Sequence, residues 1–282
     1  MQAKLDIITP HITDSHALDL PCFKTGWVCE HELPRWDPIH IGRMAIDISP
    51  TKHVVMLWVA AIISLTLMLI ATRAHHKATA TGAPAKGGLA NGLEAMVLYI
   101  RQEVILPNVG HHGNGYVPFL LTIFFFILFA NLLGLIPYGS TATGNISVTA
   151  TLALISFVVV EIAGMRALGK NYINTIIFWP HDMSLGMKLF ISPILTPIEL
   201  IGKFTKPFAL AIRLFANMTA GHVVVLALIS LIFTFGSWFL AGVPVAMAFG
   251  IMILELFVAF LQAFVFTLLV SVFIGLIREG AH

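Results

Sequence analysis

Charge is scarce in this sequence. Asp, Glu, Lys and Arg make up 11% of its 282 residues, against about 25% in an ordinary soluble domain. A soluble enzyme is excluded by that composition, since 58% of the chain is hydrophobic and the mean hydropathy is +0.91. Basic clusters are also missing. The 16 Lys and Arg residues are scattered and the net charge is +2, which gives no footprint for nucleic acid. No glycine-rich phosphate loop and no metal-ligand spacing occurs, so neither a cofactor nor a metal is expected. The histidine pairs at 75–76 and 111–112 read as interfacial. Cysteine is limited to Cys22 and Cys29; two free thiols fit them, and so does a disulfide in an oxidising compartment. The first twenty residues carry acids and Pro10 where a signal peptide has its apolar core, so the membrane segments are expected to insert uncleaved.

What the chain has is long apolar runs. Residues 1–53 are polar, with five Lys or Arg, seven Asp or Glu and five His. They read as an extramembrane tail with short helices, ahead of a membrane domain over 54–282. Residues 54–72 (VVMLWVAAIISLTLMLIAT) are uncharged and close to the ~20 residues a spanning helix needs. RAHHK and a flexible TGAPAKGG linker follow. Residues 93–106 (LEAMVLYIRQEVIL) are too short and too charged to span and read as an interfacial amphipathic helix. Further spans are expected over 117–136 and over 146–168, the latter carrying Glu161. Residues 187–206 hold Pro193 and Pro197 and read as a bent lead-in to the next helix. The last two runs, 207–235 and 244–278, would measure roughly 44 and 52 Å as upright helices, against a hydrocarbon core of about 30 Å. They should tilt steeply. The fold class is therefore all-α integral membrane, with about five crossings plus the interfacial helix. Its last two helices are expected to form an antiparallel hairpin. With the N-terminus outside, the inner side holds Arg73, Lys77, Lys86, Arg101, Arg166, Lys170, Lys188 and Arg278, while the short outer loops 137–145 and 236–243 hold none; the C-terminus is then in the cytoplasm.

Ionisable residues inside membrane helices are costly and point to function. The last two runs carry Arg213, His222 and Glu255, with Asn217 and Gln262 as polar neighbours. Ala209, Arg213, Ala216, Asn217 and Ala220 fall on one helical face. That face is small and polar, so another helix can come close; an arginine merely snorkelling to the surface would not need it. In an antiparallel hairpin turning near Trp238, facing residues keep a nearly constant index sum. Arg213 then meets Gln262, and His222 meets Glu255. A His–carboxylate pair exchanges protons near neutral pH, whereas an arginine does not deprotonate there. One rung reads as a relay, the other as a fixed positive barrier. A structural hydrogen bond for Glu255 and a core imidazole for His222 are the bland alternatives.

The stretch KPFALAIRLFANMTAGH resembles the most diagnostic segment of subunit a of the F-type ATP synthases, with its Arg-Leu-Phe-x-Asn-Met core. LELFVAFLQAFVF resembles that family's last helix, and FANLLGLIP an earlier element. The likeness covers roughly residues 50–280. By position, the resemblance implies that Arg213 is the stator arginine and Gln262 its partner. It also implies that His222 and Glu255 line an outer half-channel, that Glu199 lies near the inner one, and that Asn217 is a polar channel position. The partners implied are a ring of proteolipid c subunits, peripheral-stalk b subunits, the soluble ATPase head and the lipid bilayer. The membrane implied is a bacterial plasma membrane. The subunit itself would be non-catalytic, with proton as the default ion and sodium still open. A stand-alone proton-coupled transporter would also place charges at mid-membrane, but five crossings without repeat symmetry do not suit one. A pure anchor would not need buried Arg, His and Glu.

Overall fold

The structure is a computed structural model and describes residues 14–21, 28–42, 44–47, 49–81, 88–110, 113–136, 141–175, 185–235 and 242–279. Cys22 and the 236–241 turn, and with them the disulfide question, lie outside the described residues.

The tail departs from the expected short helices. It forms two antiparallel hairpins, β1 (Ala17–Pro21) with β2 (Val28–Glu32), and β3 (Ile39–Ile41) with β4 (Met44–Ile46). Prolines at 21, 34, 38 and 50 interrupt any helical stretch, while Ile39, Ile41 and Ile46 favour extended backbone. Ile41 pairs with Met44 across a tight turn, and Gly42 adopts the φ of +67° found there, a conformation open to glycine at no steric cost.

The rest is helical. α1 (Lys52–Thr81) runs beyond its apolar stretch into the RAHHK segment. α2 (Gly88–Tyr99) passes through a π-helical turn, Ile100–Ile105, into the short α3 (Leu106–Val109). Pro107 has no N–H to give and its ring crowds the carbonyl four residues back; the wider turn just before it relieves both. Ile100, Val104, Ile105 and Val109 are buried while Arg101, Gln102 and Glu103 are exposed, which gives the amphipathic character read from the sequence. α4 (Val117–Gly134) and α5 (Ile146–Leu168) match the expected spans closely. α6 (Leu185–Phe235) is one helix of 51 residues, about 76 Å long at 1.5 Å per residue. It takes in the proline-containing lead-in, with Pro193, Pro197 and Pro207 inside it. α7 (Gly242–Glu279) has 38 residues.

Among the described residues, five helical segments are long and apolar enough to cross a bilayer: Lys52–Arg73, Gly113–Gly134, Ile146–Ile173, Phe190–Leu231 and Gly242–Arg278. The chain divides into two compact units. The first gathers the tail, α1, residues 125–148, and residues 214–263 of α6 and α7. The second gathers 95–124, 149–213 and 264–282. In the second unit Arg278 donates from Nη1 to the Val109 carbonyl at 2.8 Å and lies 5.6 Å from the Tyr116 ring, tying the end of α7 to the end of α3.

Candidate functional site

Each unit contains one polar constellation within its helices. In the first unit the centre is His222, on α6. Its Nδ1 lies 3.6 Å from Glu255 Oε1 on α7, and its Nε2 is 2.8 Å from the Thr141 hydroxyl. The Glu255 side chain is 8% exposed and that of His222 22%. Glu255 Oε1 makes no hydrogen bond within the structure, so His222 is in ionic range but beyond bonding range. The helices come close here because of Gly221: a Cβ at that position would run into the Glu255 carboxylate.

Thr141 is brought to His222 by the turn at 141–145, which contains the 3₁₀ segment Ala142–Gly144. The turn packs against the C-terminal end of α4. Asn131, fully buried, accepts from the Thr143 hydroxyl at 2.7 Å and donates to the Ala259 carbonyl at 3.2 Å. Gly134 leaves the space that Thr141 occupies. The FANLLGLIP motif thus has a physical role: its Asn pins the turn and α7, and its Gly admits the threonine.

In the second unit a cavity of about 220 Å³ is lined by Glu161 of α5, Thr175, and Glu199, Lys203 and Lys206 of α6, with Val270 and Phe273 of α7. Lys203 Nζ is 3.4 Å from Glu161 Oε2 and donates to Thr175 Oγ1 at 3.1 Å. It also lies 4.9 Å from the Tyr172 ring centre, in cation–π range. Glu199, Lys203 and Lys206 share one helical face by spacing. A more open groove of about 470 Å³ shares Lys206, Leu210 and Phe273 with the cavity and is lined also by Arg213. Acids and arginine therefore line adjoining spaces along one stretch of α6.

The expected residues fall out as follows. His222 and Glu255 are brought together. Arg213 is exposed on α6 and lines the groove of the second unit. Gln262 is 6% exposed and belongs to the first unit. Asn217 is exposed, as are Ala209, Ala216 and Ala220 on its face. Glu199 is exposed at the cavity. Sequence reasoning missed the roles of Thr141, Asn131, Glu161 and Lys203. Glu161 was visible as an acid in a span, but its lysine partner lies 42 residues on.

The family model described as ATP synthase A chain matches residues 54–275. This chain belongs to the ATP synthase subunit a family. Among its relatives, ATP synthase subunit a 2 of Chlorobium luteolum is 47% identical over 273 residues, covering 96% of this chain and 75% of the relative. ATP synthase subunit a of Chloroherpeton thalassium is 48% identical, with 97% and 76% covered. That of Myxococcus xanthus is 44% identical, with 99% and 91% covered. With five apolar helices of spanning length, this member of the subunit a family is a multi-pass membrane protein.

Proposed function

We propose that the chain is the proton-translocating stator subunit of an F-type ATP synthase, itself non-catalytic, set beside a ring of c subunits and tied to the b stalk and the ATPase head. The membrane is a bacterial plasma membrane, with the N-terminus outside and the C-terminus in the cytoplasm. A proton from outside reaches a ring carboxylate by way of His222 and Glu255. The neutralised carboxyl then faces lipid, which an ionised one could hardly do. After nearly a full turn of the ring it releases its proton to an inner half-channel, formed by the cavity that holds Glu199, Glu161 and Lys203. Arg213 favours the ionised ring carboxylate as it passes and keeps a bare proton from crossing directly. Gln262 is its partner on α7 and Asn217 lies further along the same face. The driving free energy is about 2.3 kcal/mol per proton per 100 mV.

One observation carries this reading: Arg213 is exposed on a face of alanines within a spanning helix. A guanidinium presented there, with no ion pair among the described residues, suits a carboxylate partner from another chain. The test is Arg213→Ala in membrane vesicles, with ATP-driven acidification and ATP hydrolysis read side by side on an assembled complex. Acidification is expected to disappear while the complex remains. Acidification at the normal rate would reduce the chain to an anchor.

A further inference from the structure

Between the tail and the 141–145 turn of the first unit lies a second polar cluster that the relay above does not use. Asp14 Oδ1 is 2.9 Å from His53 Nδ1, and the Asn145 amide nitrogen is 3.4 Å from both Asp14 Oδ2 and His53 Nδ1. The His53 side chain is 3% exposed and that of Asp14 29%, so water reaches the carboxylate but hardly the ring. The tail is held in place by its backbone: the Lys52 N–H donates to the Ser15 carbonyl at 2.9 Å, and the His53 N–H to Asp14 Oδ1 at 3.4 Å. Ser49, itself bonded to both backbone groups of Trp36, fixes the approach to α1.

The turn carries alternating polar side chains, each with a different partner. Thr141 meets His222, Thr143 meets Asn131, and Asn145 meets Asp14 and His53. One five-residue segment therefore joins the buried His222–Glu255 pair to a cluster that opens to water. His53 Nδ1 has one position to use. Protonated, it donates to Asp14; unprotonated, it accepts from Asn145. The two contacts are alternatives set by where the proton is.

We propose that Asp14, His53 and Asn145 form a proton-collecting site at the mouth of the outer half-channel, an inference that rests on the function proposed above. Asp14 takes a proton from water, and its carboxyl O–H passes that proton to the His53 Nδ1 lone pair. The carboxylate is regenerated and an imidazolium remains. Asn145 exchanges its bond to Nδ1 for one to Asp14 as this happens. Among the described residues, the other charged and titratable groups at hand are Lys52, beside His53 on α1; His16, with Nδ1 3.3 Å from the Pro50 carbonyl; and Asp47, bonded to the Ser49 N–H, with Arg35 near it.

The experiment uses the whole complex in liposomes and reads ATP synthesis against the pH of the outer compartment, with the total driving force held constant. Asp14→Asn and His53→Gln are expected to lower the rate several-fold at outer pH 8, where protons are scarce, and little at pH 6. Asp14→Glu should restore the wild-type profile. An unchanged profile in Asp14→Asn, or a loss of equal size at every pH, overturns the proposal and leaves Asp14 a structural cap of α1. Should His53→Gln fail to assemble, Asp14→Asn alone decides. If Arg213→Ala uncouples the complex while these profiles stay flat, the collecting site is wrong and the stator reading stands. If Arg213→Ala leaves pumping intact, both fall.

Discussion

The His222–Glu255 and Lys203–Glu161 pairs each set a carboxylate against a side-chain nitrogen on a different helix, at 3.6 and 3.4 Å. Their surroundings differ in kind. Imidazole changes charge around neutral pH, and its two nitrogens here face a hydroxyl and a carboxylate. The lysine is a compact, permanently donating group held by a carboxylate, a hydroxyl and an aromatic face. In the function proposed above, the first region moves a proton through its pair. In the same proposal, the second keeps a charged wall fixed beside the cavity that Glu199 lines and the groove that Arg213 lines. Nearness of a nitrogen to a carboxylate is common to both, and the side-chain chemistry decides what the nearness does.

The largest effect should come from removing the exchangeable pair. Glu255→Gln with His222→Ala is expected to cut ATP-driven proton transport at least tenfold, within the ~10²–10⁴ typical of a positioned acid–base group, while ATP hydrolysis by the released head continues. Fluorescence quenching in vesicles across pH 6–8 reads this. Wild-type transport in the double variant would erase the distinction between the two regions.

Two glycines sharpen it. A Cβ at Gly221 would strike the Glu255 carboxylate, whereas one at Gly164 of α5 would meet the tip of Ile277, at 2.6 Å, and the Tyr172 ring. An isoleucine tip can rotate away, at a strain of roughly 1–3 kcal/mol. A carboxylate displaced from His222 loses its partner. Gly221→Ala should therefore lower transport several-fold in assembled complexes, while Gly164→Ala lowers thermal stability and leaves transport near normal. The reverse pattern would place the working group in the second region.

Much of this was legible beforehand, and the limits have physical causes. Helix spans follow from apolar runs, and α5 agrees to the residue because Asn145 and Gly169 bound it. The 222–255 pairing follows from a constant index sum, which needs only two helices and a turn. The tail misled because five prolines and scattered charges leave no period to read, so paired strands looked like short helices. Thr141, Asn131 and Lys203 act through partners as far as 81, 128 and 42 residues away, and a single sequence carries no signal for such pairs. Glu161 showed only half of itself: an acid in a span announces a cost, not the lysine that offsets it.

A modest effect on transport, beside a measurable loss of stability, is expected at that lysine. Lys203→Met leaves Glu161 facing the cavity without its cation, and Glu161→Gln leaves the ammonium without its anion. Breaking a fully buried pair from one side costs about 3–5 kcal/mol. These side chains are 11% and 16% exposed, and water at the cavity screens them, so about 1–3 kcal/mol is the better expectation. Removing both charges together should cost less than either single change, because neither leaves an orphan. Thermal melts of the purified complex give the cycle, and vesicle acidification should fall by less than half in each variant. A strong transport defect in the double variant, with stability intact, would mean that Lys203 and Glu161 themselves carry protons. The second region would then work as the first does.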